Sequence, residues 1–286
     1  MEKYDITKPF LLPVGMYKLN KNPGYSFQLN RLVNMDLGDL DEVRRIGNQI
    51  TDKKSWKSVL LTAADTEYEK GNIRSAMGFY RMAAFFMDYD DPDNNACWQK
   101  ARELFFLYFE DFFKGEHPIV EKYEVPYENY TLPTLKMNPE GASKGLIVVL
   151  LDIILYGFGW LINLLYRLKK GKGMDFFKTY YERIGSTNAY ALARFLWQVD
   201  LRPLADKLTK DYLIIGGSKD TMSSRASIGR QMYLLKNARS ITAREITEKE
   251  LGADHCSCGN QQVVMDMIDL WIESLKRRDE SLQRAH

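Results

Sequence analysis

Asp220 and His255 are the two residues whose types and surroundings best suit chemistry. Asp211-Tyr-Leu-Ile-Ile-Gly-Gly-Ser-Lys-Asp220 is a short apolar run closed by two glycines and an acid. That is the pattern of a buried parallel strand whose following turn presents a carboxylate. Further on, Leu251-Gly-Ala-Asp-His255-Cys-Ser-Cys-Gly-Asn260 is a glycine-bracketed loop that carries a histidine. A histidine held by a carboxylate acts as general base and then general acid, because the carboxylate fixes its tautomer and stabilises the imidazolium. Asp254 is the nearest alternative acid, but neighbours in a loop tend to point apart. Cys256 and Cys258 beside the histidine offer metal-binding atoms, yet such close spacing poorly supports tetrahedral ligation. No metal and no cofactor are expected.

Such a pair needs a nucleophile to complete a triad. Gly141-Ala-Ser143-Lys-Gly145 matches the G-x-S-x-G string, but a nucleophile elbow requires a strand before it and a helix after it. Here polar Met137-Asn-Pro-Glu140 precedes and apolar Gly145-Leu-Ile-Val-Val-Leu150 follows, so the string reads as a loop leading into a strand. That strand should end in a glycine-rich loop whose N–H groups stabilise an oxyanion. Leu151-Asp-Ile-Ile-Leu-Tyr-Gly-Phe-Gly-Trp160 follows instead.

The Asn237-Ala-Arg-Ser240 segment, the Asp-His-Cys with Gly-Asn just after it, and the Gly-Gly-Ser-Lys-Asp turn resemble α/β hydrolases of the fermentation-respiration switch protein and dihydroxypseudooxynicotine hydrolase group. The order acid then histidine agrees with the hydrolase order Ser…Asp/Glu…His. The resemblance implies an α/β fold with a parallel sheet, preceded by N-terminal helices that roof the active site. It also implies hydrolysis of an ester, amide or activated C–C bond, with a small-molecule ester, amide or ketone as substrate and Asp220 and His255 as two of three catalytic residues. This chain departs from that pattern in one respect. It passes from an early central strand directly to segments resembling cap helices at about 151–204, omitting the oxyanion loop, the next strands and the elbow. Two or three βα units of roughly 30 residues each are missing. Two function classes follow: a serine hydrolase, or an inactive relative that serves as a binding or interaction module. An incomplete sheet leaves an apolar edge, which favours pairing of two copies as a homodimer.

The elements that must position these residues are legible in part. The chain has 286 residues, 45% hydrophobic and 27% charged, with a formal net charge of +2. Nothing in that balance calls for nucleic acid as partner. Three cysteines form no disulfide framework, and the first residues lack the apolar stretch of a signal peptide, which points to a cytoplasmic protein. Residues 1–36 are uninformative, with Phe10-Leu-Leu-Pro-Val14 reading as a packed arm or short strand. Asp39 to Asn48, Ser55 to Lys70 and Ile73 to Met87 have apolar residues at helical spacing, with Gly71-Asn72 as a break. Ala64, Tyr68, Ala76, Tyr80 and Ala84 resemble one tetratricopeptide unit, but one unit cannot make a solenoid. Asp88 to Asn95 is an acidic, proline-containing turn that should cap a helix over Ala96 to Phe113; it lacks the glycine and final glutamate of a calcium loop. The aromatics Phe105 to Phe113 read as core, with the roof of an acyl pocket as the alternative. His117 reads as a solvated loop residue.

Val120 to Lys136 alternates and is punctuated by prolines, as edge strands are. We place the boundary there, with a helical region at 1–119 and a truncated hydrolase-like core at 120–286. Leu146 to Tyr166 has nearly the length of a bilayer span, but Asp152, Asn163 and two glycines interrupt it, so no membrane is expected. Strands are expected at Leu146 to Leu150, Tyr212 to Ile215 and Ser240 to Ile246. A terminal amphipathic helix is expected over Val263 to Leu275, with a solvated tail from Lys276.

Overall fold

A computed structural model describes residues 2–88, 90–127, 130–138, 202–220 and 225–284. The chain is a mixed α/β protein. Its first half is helical: α1 (Pro23–Asn34), α2 (Leu40–Gly47), α3 (Lys53–Glu69), α4 (Ile73–Ala83) and α5 (Pro92–Tyr108). Four of these five starts carry a side-chain cap. Asn22 accepts from Gly24 N–H at 2.9 Å with Pro23 at the first helical position, and Asp39 accepts from Asp41 and Glu42 N–H. Asp52 and Ser55 form a reciprocal capping box, and Asp91 precedes Pro92 and accepts from Asp93 N–H. Each such cap contributes about 1 kcal/mol.

These helices enclose one apolar core centred on the fully buried Trp56, whose ring meets Tyr25 at 5.2 Å and Phe86 at 4.9 Å. The indole N–H donates to Met82 O at 3.0 Å, so the largest side chain of the core is both buried and satisfied. Leu29, Leu60, Ile73 and Phe79 fill the space around it. The helix pair α3 and α4 meets the sequence expectation, and α5 is capped by the acidic turn as expected, although it ends at Tyr108 and a 3₁₀ turn covers Glu110–Phe113. Residues 1–36, uninformative in sequence, hold α1.

Strands β1 (Val120–Tyr127) and β2 (Tyr130–Met137) form an antiparallel hairpin. Among the described residues they pair only with each other. Strands β3 (Asp211–Gly217) and β4 (Ser240–Ile246) pair in parallel, Asp211 opposite Ser240 and Gly217 opposite Ile246. Parallel pairing needs a crossover, and α6 (Arg225–Leu234) lies between the strands in sequence and touches both. The expected strands at Tyr212 to Ile215 and Ser240 to Ile246 are therefore present. The expected strand at Leu146 to Leu150, the Ser143 loop and the segment to Tyr166 lie outside the described residues. Among the described residues no helix is long and apolar enough to cross a membrane.

The last helix, α7 (Gln262–Arg284), extends past the Leu275 expected as its end, through a stretch from Lys276 that is mostly exposed, as expected. In the extension Arg278 meets the sheet. Its guanidinium donates to both oxygens of Asp211, at 2.7 and 2.9 Å, and Ser240 Oγ donates to the same carboxylate at 2.5 Å. One carboxylate thus joins the starts of both parallel strands to α7. The Arg278 guanidinium is the main reason the Asp211 carboxyl is held down to about 2.

Candidate active site

The two turns that follow β3 and β4 converge at the far ends of the strands. After Gly217, Ser218 N–H donates to Ile246 O and Lys219 N–H to Ala253 O, both at 2.9 Å. After β4, the Glu250 carboxylate accepts from Thr247 N–H and Oγ1. This tight turn brings residues 252–255 back over the end of β3. The approach is close enough that a Cβ on Gly217 would stand 2.2 Å from Ala253 O. Only glycine permits it.

Asp220 and His255 meet in that convergence. His255 Nδ1 lies 3.0 Å from Asp220 Oδ2 and 3.2 Å from Oδ1. The expected approach of the two residues is therefore present. The Asp220 side chain is 5% exposed and that of His255 is 38% exposed. A carboxylate only accepts, so Nδ1 carries the proton and Nε2 is left with its lone pair free to take one. Among the described residues nothing hydrogen-bonds Nε2. A buried acid thus stands behind a half-open imidazole. Asp254 does not compete: it precedes the 3₁₀ turn at His255–Ser257 and its carbonyl accepts from Ser257 N–H at 3.0 Å.

The histidine loop bends sharply, with left-handed backbone at Cys256 (φ 57°) and Ser257 (φ 50°). Such residues persist only where surrounding contacts hold them. Here the contacts come from the far end of the chain. Asn34, fully buried at the end of α1, accepts from Gly259 N–H at 2.9 Å and Cys258 Sγ–H at 3.4 Å, and donates to Gly15 O at 2.9 Å. Gly15 N–H donates to Gly259 O at 2.7 Å, and Leu12 N–H to Gln262 Oε1 at 3.0 Å. Gly259 has φ of +105°, and a Cβ there would stand 2.2 Å from Leu251 O and 2.7 Å from Met16 Cγ. The N-terminal arm and α1 are thus built into the histidine loop. Sequence reading missed both. The one available signal was Asn22-Pro23, an N-cap followed by the residue favoured at the first helical position.

Burial raises the thiol of Cys256 and pushes that of Cys258 up to about 12, whereas a nucleophilic or metal-binding sulfur must be thiolate. Among the described residues no group of three or more histidine, cysteine or acidic side chains is placed to hold a metal ion. His117, the other described histidine, is exposed in the loop before β1. The chain matches no known protein family and no curated protein.

Proposed function

We propose that this chain is a relative of the α/β hydrolases that retains the acid–base half of a catalytic triad. The ancestral chemistry is hydrolysis of an ester, amide or activated C–C bond in a small molecule. The observation that carries this reading is the 3.0 Å contact between His255 and Asp220. It links the turns after two adjacent parallel strands, in the chain order acid then histidine that the hydrolases use.

The same reading says what the chain does not do. The sequence places no G-x-S-x-G between a strand and a helix, and no glycine-rich loop follows the strand expected at Leu146 to Leu150. Loss of the triad serine leaves a residual acceleration on the order of 10³ to 10⁴ over water, most of which depends on an oxyanion hole. The proposed role is therefore binding of a small carbonyl compound rather than serine-dependent turnover. A fluorophosphonate probe tests it. No labelling of the purified chain is expected. Labelling that His255→Ala abolishes would overturn the proposal in favour of an active serine hydrolase, and Ser143 would be the first serine to replace.

A further inference from the structure

Arg31 stands in the last turn of α1, three residues before Asn34, so the two side chains project from one face of the helix. Asn34 touches Cys258 and Gly259; Arg31 therefore faces the histidine loop one turn back. Its Nη1 donates to Gln28 Oε1 at 3.1 Å, and its guanidinium carbon lies 6.0 Å from the centre of the Phe85 ring. Its Nε is buried and has no acceptor. Arg74, Arg225, Arg239, Arg244 and Arg278 each pair with a carboxylate, whereas Arg31 pairs with none among the described residues.

A guanidinium stays charged at any pH the fold survives, so a buried donor on it without an acceptor is costly and needs an explanation. The carbonyls at the end of α1 attract a cation, but Met35 N–H already serves Arg31 O and Val33 O, and Nε bonds to neither. On the loop side, Asn34 on the same helix face bonds to Cys258 and Gly259, three and four residues past His255.

We propose that Arg31 binds the carboxylate of a small-molecule ligand at the seam between α1 and the histidine loop, beside His255. The proposal rests on reading Asp220 and His255 as the acid–base pair of a ligand site. One guanidinium matches the single charge of a carboxylate, and its planar fork matches two oxygens. The neighbouring Phe85 ring suits an aliphatic chain. The ligand class is then an ester, amide or ketone with a carboxylate at its far end.

Butyrate, with butyramide as its neutral twin, is a sufficient probe. Butyrate added to the full chain should shift the His255 ring signals in a saturable way, and butyramide should not. Arg31→Met should weaken butyrate binding about tenfold or more, the loss expected for a charge-assisted pair. Arg31→Lys keeps the charge without Nε and should bind at an intermediate level; it also serves if the methionine variant misfolds. In His255→Gln, read through the Gly259 amide, butyrate should still bind, and that result would uphold the anion site even if the acid–base reading failed. Equal affinity in Arg31→Met and wild type, equal response to butyramide, or no saturable response in wild type would each overturn the proposal.

Discussion

At the scale of single residues, Asp220 fixes one proton. Its buried carboxylate accepts from Nδ1, and this selects the tautomer with a proton on Nδ1 and a free lone pair on Nε2. Nitrogen-correlated NMR of the His255 ring should show that tautomer as the dominant neutral form in wild type. In Asp220→Ala the tautomer with the proton on Nε2 should gain population, because no carboxylate then holds the proton on Nδ1. A mixed population in wild type would show that the 3.0 Å contact does not persist in solution. The thiols of the loop add a second check. Cys256 is exposed, whereas Cys97 and Cys258 are buried, and burial raises the thiols of those two. Modification by an aromatic disulfide at pH 8 should therefore consume one thiol in the folded chain and the other two only on unfolding.

At the scale of elements, the pair Asp211–Arg278 holds α7 to the parallel strands. The Asp211 side chain is 14% exposed, so the pair is less screened than a surface ion pair, and Asp211→Asn should cost about 1 kcal/mol at pH 7. Its pH dependence follows from the sign of the shift. The folded carboxyl lies at about 2, below its ordinary value of 3.8, so the contribution is complete above that ordinary value. It shrinks as pH falls further and is gone below about 2. Urea titrations of wild type and variant should differ at pH 7 and converge on acidification. A gap that stays constant down to pH 2 would mean that the carboxylate is not what holds the helix.

At the scale of the whole molecule, the helical first half and the strand-bearing C-terminal part meet through Asn34. Asn34→Ala leaves Gly259 N–H and Gly15 O without partners in a buried place, at a cost of about 2 kcal/mol. The urea midpoint should fall with little change in slope. Cys258 is fully buried against Asn34, so its thiol should become reactive in the variant while Cys97, in the helical core, stays protected. If Cys97 and Cys258 remain equally slow, the seam does not depend on this amide. Residues 12–34 thus face two ways: Leu19, Tyr25, Leu29, Leu32 and Val33 pack in the helical core, while Leu12, Gly15 and Asn34 bond to the histidine loop and the start of α7.

The sequence determined the local features. Helix caps at Asp39, Asp52 and Asp91, the helical spacing through α3 and α4, and the apolar runs of β3 and β4 are written in short windows, where periodicity and capping chemistry decide the outcome. It also brought forward Asp220 and His255, since a strand-ending acid and a glycine-bracketed histidine are local patterns. What it could not show is what distant segments do to one another. Arg278 looked like part of a solvated tail because its partner Asp211 lies far back in the chain, and Asn34 stood in an uninformative stretch because its partners are Cys258 and Gly259. A buried amide or ion pair is chosen by which surfaces meet, and that choice is tertiary: burial raises the cost of an unmade hydrogen bond, and only the folded chain decides which groups are buried together.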